Sequence, residues 1–339
     1  MNTELKYTAS NQTVVTETVV EFVQQDSTLS QRVMGEKHQV SGTYNINGKL
    51  CFPVGTAPNA SSVQFLTHGV GFAKSYWDFF SAQYSYQDAA ALKGYTTFAY
   101  DRLGTGLSDH PDPIQVVQGP LEVAIAHSLI QLLRSGSIAS TSFKKVIGVG
   151  HSFGSDITNA ITAQYPEDVD AAVLTGFSVD SKGMIPFLSG LDLVLANEAQ
   201  PLRFGALPNG YLITESQAGN QFSFFRFPGF AQELLEAGTA AGETFTIGEF
   251  FTQSAIMTPT PGFTGPIDVV NGENDLPFCD GNCVIGDKPA AVKAALYPNA
   301  AASSMSYIAK DAGHGLNLHY AAADAYAQIF GFLASNGFA

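Results

Sequence analysis

Five residues, Gly150-His151-Ser152-Phe153-Gly154, constrain this chain more than any others. They follow the apolar run Val146-Ile147-Gly148-Val149, which reads as a buried strand, and precede a helical pattern over Asp156 to Gln164. A serine between glycines at such a junction predicts a strained strand-to-helix turn. Its hydroxyl would stand clear of the sheet at a helix N-terminus, where developing negative charge is favoured. Small flanking residues let the backbone turn there without clashes.

The rest of the chain repeats the same alternation. Strands are expected at Val63 to Leu66, Tyr95 to Tyr100, Ala172 to Leu174, Ile267 to Val270 and Met305 to Ile308. Helical spacing runs over Trp77 to Leu92, Leu121 to Leu133 and Tyr320 to Leu333. Strands alternating with helices predict a mostly parallel α/β sheet covered on both faces. The first fifty residues read differently, as strands: Val14 to Val23 is β-branched, and Tyr44, Ile46, Leu50 and Phe52 mark one face of a second run. Between about Asp180 and Gly262 the alternation stops. That stretch is rich in Phe, Gly and Pro and lacks clear strand signals, so it reads as a mainly helical insertion. Its aromatics either fill a small core of their own or form the underside of a lid over a pocket, and both roles are compatible.

A formal net charge of −14 repels phosphate backbones, which argues against nucleic acid and anionic membranes as partners. No apolar run approaches the ~18 residues of a membrane span. The first fifteen residues lack the basic and apolar segments of a secretory leader. Few lysines, many Ser, Thr, Asn and Gly, and the sequons at Asn11 and Asn59 nevertheless point to an extracellular protein. Of three cysteines, Cys279 and Cys283 flank a tight Asp-Gly-Asn turn and are expected to close a small disulfide. A zinc site there lacks its two further ligands.

A serine hydroxyl needs a positioned base, and that base needs an orienting acid. Two histidines lie beyond Ser152. His314, in Asp311-Ala312-Gly313-His314-Gly315, falls in a loop just past a strand; His319 falls at the start of the last helix, where surface or packing roles are expected. His314 is therefore the expected base. For the acid, Asp275 sits in a loop at the carboxyl end of a strand, where catalytic groups collect in open α/β sheets. Asp180 is its rival, with Glu273 a solvated loop residue and Asp268 a strand residue. An oxyanion hole requires two backbone N–H groups, expected from Phe153 and from Val70 in the loop His68-Gly69-Val70-Gly71-Phe72, with Gly71 as the alternative. His68 is expected to brace that loop, and Phe72, Phe224 and Phe225 are expected to touch substrate.

Four segments together resemble the α/β-hydrolase superfamily: His68 to Phe72, Tyr100 to Asp109, Gly150 to Gly154, and the pair Gly272 to Asp275 and Ala312 to Gly315. The resemblance spans the core, leaving out the N-terminal strands and the insertion. It implies an α/β-hydrolase fold whose core comprises residues 1–180 and 262–339, with a lid at 181–261. Serine at the nucleophile position speaks against the epoxide hydrolases and dehalogenases of that superfamily, which carry aspartate. The expected activity is hydrolysis of an ester or lactone of a fairly apolar small molecule, without metal or organic cofactor. Acyl transfer, lyase chemistry or ligand binding by an inactive relative are the alternatives.

Overall fold

A computed structural model of the protein describes residues 1–53, 62–138 and 141–338. The Asn59 sequon lies outside the described residues. The chain opens with β1 (Asn2–Leu5), which pairs antiparallel with β2 (Met34–His38). Between them lie two helices, Gln12–Phe22 and Leu29–Val33.

The first of these helices replaces the strand expected over Val14 to Val23. Asn11 caps it, its side-chain oxygen accepting the Val14 N–H at 3.1 Å. Val15 and Thr18 are buried, and Val19 and Phe22 pack against the core. That is a helical face, spaced three and four apart. The β preference of Val and Thr amounts to tenths of a kcal/mol per residue, so a cap and one buried stripe override it.

A seven-stranded sheet follows. Its members are β3 (Gly48–Cys51), β4 (Ser62–Thr67), β5 (Thr96–Tyr100), β6 (Lys145–His151) and β7 (Ala171–Thr175), and then, after an insertion, two more. The insertion holds the short strands β8 (Leu193–Leu195), β9 (Tyr211–Thr214) and β10 (Phe245–Thr246). The large sheet closes with β11 (Ile267–Gly272) and β12 (Met305–Ala309). Its order is β12-β11-β7-β6-β4-β5-β3, parallel throughout except for the antiparallel edge strand β3. Only Gly48–Cys51 of the second expected N-terminal run is strand, although Ile46, Leu50 and Phe52 do pack on the core.

Helices cover both faces. Gly119–Ser135, Phe153–Gln164 and Lys288–Leu296 bury Val123, Ile157 and Val292 against Phe65, Val146 and Leu174. On the other face, Tyr86–Leu92 and Ala322–Ser335 bury Tyr86, Tyr326 and Ile329 against Leu66, Val149 and Val270. The helical spacing from Trp77 to Leu92 resolves into a 3₁₀ turn at Lys74–Trp77 and the helix Tyr86–Leu92, which Ser85 caps. The segment between β7 and β11 is largely helical, as expected, but β8, β9 and β10 form an antiparallel sheet within it. Those strands are two to four residues long, too short to show alternation in sequence.

Candidate active site

Ser152 ends the central strand β6 and caps the helix Phe153–Gln164 with φ 54° and ψ −123°, a conformation that strains a residue bearing a side chain. Three hydrogen bonds hold it there: its N–H donates to the Thr175 carbonyl at 2.9 Å, and its carbonyl accepts the Ser155 and Asp156 N–H groups. The flanking glycines are a steric necessity. A Cβ at Gly150 would lie 2.4 Å from the Gly154 oxygen, and one at Gly154 would lie 2.0 Å from the Thr67 oxygen.

The loop after β12 brings His314 to this turn. His314 Nε2 lies 2.8 Å from Ser152 Oγ, and His314 Nδ1 lies 2.9 Å from Asp275 Oδ2. All three side chains are buried. Asp275 follows β11 and caps the short helix Leu276–Cys279, its Oδ1 accepting the Phe278 N–H at 3.0 Å. One carboxylate oxygen thus anchors the acid while the other faces the imidazole. The Cys279–Cys283 disulfide closes the loop just beyond.

Among the described residues, none of the other candidate acids bonds His314. Asp180 pairs with Lys288 at 2.7 Å, and this contact lowers its pKa. Glu273 accepts the Asp311 N–H at 3.0 Å. Asp268 lies inside β11, and burial pushes its carboxyl up to about 7.

His319 precedes the last helix rather than starting it, and it is fully buried, so the surface role is excluded. Burial lowers its pKa to about 4, which keeps the ring neutral. Nδ1–H donates to the Gly315 carbonyl at 2.9 Å, and Nε2 accepts the N–H groups of Gly313 and Arg226 at 3.0 and 2.9 Å. Gly313 and Gly315 flank His314, so this neutral ring sets the path of the loop that carries it.

His68 has a similar place on the opposite side. Its Nδ1–H donates to the Gly69 carbonyl at 2.9 Å and its Nε2 accepts the Arg102 N–H at 3.0 Å, burial holding the ring neutral. Gly69 lets this loop close on Ser152: a Cβ there would fall 2.8 Å from that of the serine. Among the described residues, the N–H groups of Val70 and Phe153 have no hydrogen-bond partner, and both residues line one cavity with Ser152. His151 stacks on Tyr76 at 4.4 Å and bonds Thr175 Oγ1 through Nδ1 at 3.1 Å. It makes no hydrogen bond to Ser152, and burial lowers its pKa well below the usual imidazole value.

The cavity over Ser152 has a volume of about 370 Å³. Its aromatic lining differs from the expected one. Phe72 packs on Tyr76 and Phe224, while Phe224 stacks against His314 with ring centroids 6.0 Å apart. Phe225 turns away to Phe230 and His319, and none of these three lines the cavity. The helix Gln217–Phe224 ends within the run Phe222 to Phe227, which leaves Phe222 and Phe227 exposed and buries Phe224 and Phe225. The lining comes instead from Phe22, Phe187, Phe245, Phe250, Phe251 and Phe278. Nothing marked Phe22 for this role in the sequence, since its segment read as a remote strand.

Comparison with known proteins agrees with the fold. A sequence model described as the alpha/beta hydrolase family matches residues 65–329. No curated protein matches the sequence. Among solved structures, an alpha/beta hydrolase fold protein from Chitinophaga pinensis is similar, with a TM-score of 0.56 and 17% identity over 86% of this chain and 94% of that one. An esterase from Exiguobacterium antarcticum gives 0.56 and 15% over 86% and 95%. A thermophilic esterase from Thermogutta terrifontis gives 0.52 and 14% over 86% and 93%. At such identities the likeness is one of fold.

Proposed function

The chain belongs to the alpha/beta hydrolase family, and from that premise we propose that it is a serine hydrolase acting on a carboxylic ester or lactone of a fairly bulky, apolar small molecule. The observation that carries this reading is the unbroken contact from Asp275 through His314 to Ser152, opening on an apolar cavity. His314 Nε2 takes the Ser152 proton as Oγ attacks the carbonyl carbon, and Asp275 holds the imidazole in the required tautomer. The free N–H groups of Val70 and Phe153 receive the oxyanion. Protonated His314 then gives its proton to the departing alcohol, and water, deprotonated by the same imidazole, releases the acyl group. In this scheme His151 and His68 stay neutral, so the imidazolium formed at His314 meets no second positive ring.

A volume of about 370 Å³ lies within the ~300–1,000 Å³ typical of small-molecule sites, room for one bulky apolar group beside Ser152. In the same reading residues 181–261 act as the lid, supplying Phe187, Phe245, Phe250 and Phe251 to the cavity, with 1–180 and 262–339 as the core.

Ser152→Ala tests the proposal. With a chromogenic short-chain ester, kcat/KM should fall by at least about a thousandfold while the circular dichroism spectrum is unchanged. Mass spectrometry of the wild-type protein trapped during turnover should place the acyl group on the peptide containing Ser152. A loss of less than about tenfold would remove Ser152 from the nucleophile role.

A further inference from the structure

The cavity wall includes a segment that lies outside the family match. Phe22, Ser30 and Met34 line it, whereas the match begins at residue 65. The Phe22 ring meets Phe250 edge-on at 4.6 Å and lies 6.5 Å from Phe251, and Tyr7 reaches Phe251 at 5.8 Å. The N-terminal helices therefore complete an aromatic wall that the insertion begins.

This segment is fixed by three side-chain amides, each bonding a backbone in both directions. Gln118 accepts the Thr3 N–H at 2.9 Å and donates to the Thr3 carbonyl at 2.8 Å. Gln115 does the same for Leu5, at 3.1 and 2.7 Å. Gln12 donates to the Leu193 carbonyl at 3.0 Å and accepts the Leu195 N–H at 2.8 Å, joining the first helix to β8. A clamped wall has a definite shape, and a definite shape discriminates by size.

We infer that the N-terminal helical hairpin is the chain-length gauge of the site, with Phe22 as the wall that limits the acyl chain the cavity accepts. This rests on the hydrolase reading above. The acyl group is the relevant part because it stays bonded to Ser152 after the alcohol has left. A mainly apolar cavity beside Ser152 suits the part that stays, and the stretch of its lining formed by Phe22, Met34, Leu188, Phe250 and Phe251 suits hydrocarbon. Shortening Phe22 extends the cavity toward the hairpin, and enlarging it fills that end.

The test uses p-nitrophenyl alkylphosphonates with chains of two to twelve carbons. Ser152 Oγ bonds to phosphorus, p-nitrophenolate leaves, and the serine proton passes to His314. Labelling rates are measured for wild type, Phe22→Ala and Phe22→Trp. In parallel, alkanoates of the same lengths are scored by their shift of the melting temperature, a reading that needs no reactive serine. Phe22→Ala should raise the long-to-short labelling ratio by about tenfold or more, and Phe22→Trp should lower it, in keeping with what a methylene in an apolar pocket is worth. If Phe22→Ala does not fold, the tryptophan variant and Met34→Phe decide alone, both in the shortening direction. Labelling with an unchanged length profile in the folded variants overturns the gauge and leaves the hydrolase reading standing. No labelling of wild type, with alkanoate stabilisation that still follows Phe22, overturns the hydrolase reading and keeps the gauge. Neither labelling nor length dependence overturns both.

Discussion

Gly154 has no room for a single methyl group, since a Cβ would lie 2.0 Å from the Thr67 oxygen and 2.8 Å from the His68 oxygen. Both obstacles are backbone, so neither can rotate aside. Gly154→Ala must push the helix Phe153–Gln164 away from β4, moving Ser152 and the Phe153 N–H off His314. The expected result is a fall of about a hundredfold or more in kcat/KM together with a lower melting temperature, because a shift of about 1 Å suffices for such a loss. Unchanged melting and unchanged turnover would show that the turn tolerates a side chain. At this scale much was legible in the sequence. Ser152, His314 and Asp275 each sit in a short stretch whose glycines and neighbouring strand can be read locally, and the structure brings the three together. The lining phenylalanines were not legible, because whether Phe224 or Phe250 faces the cavity depends on where one helix stops. The role of His319 was hidden too, since Arg226, one of its two donors, is 93 positions away in the chain.

At the level of elements, one buried cation joins the insertion to the core. Arg102 is held by Glu122 on the helix Gly119–Ser135 and by Glu249 on the helix Ile247–Thr252, with its guanidinium 4.7 Å over the Phe153 ring. Gln253 adds a 2.9 Å bond to Asp156 on the nucleophile helix. Two carboxylates share one guanidinium, and burial raises the Glu122 pKa well above the ordinary carboxylate value. Arg102→Met leaves both acids buried without a cation, which should cost about 3–5 kcal/mol. Glu122 without its cation resists releasing its proton, while the unfolded chain gives it up more fully as pH rises, so the deficit should be larger at pH 8 than at pH 5. Urea denaturation of both proteins at the two pH values measures this, and an equal deficit would mean that Arg102 acts through packing and not through its charge. The strand–helix alternation that delivers these helices was plain in the sequence, whereas the first helix was not. Val14 to Val23 has a strand's composition, and its helical character comes from the Asn11 cap and from surfaces supplied by residues far along the chain.

For the molecule as a whole, buried acids make stability depend on pH. Asp268 is fully buried in β11, and among the described residues neither carboxylate oxygen has a hydrogen-bond partner. Burial raises its pKa from 3.8 to about 7. Between those values the folded protein keeps the proton while the unfolded chain has released it, so stability falls as pH rises through that window. The effect is bounded at about 4 kcal/mol. Asp268→Asn removes the titration, and its advantage over wild type in melting temperature should grow from pH 4 to pH 8; parallel curves would count against the assignment. The N-terminal clamp also has a consequence in time. Gln12 is made 181 residues before Leu193, its partner on β8. At about 5–20 residues per second, that interval lasts roughly 10–40 s on the ribosome. Throughout it Val15, Phe22 and Leu29 wait for the surfaces that the insertion supplies, so this segment is fully seated only once β8 exists. A contact close in space is here distant in time, and the two helices wait on a partner strand made long after them.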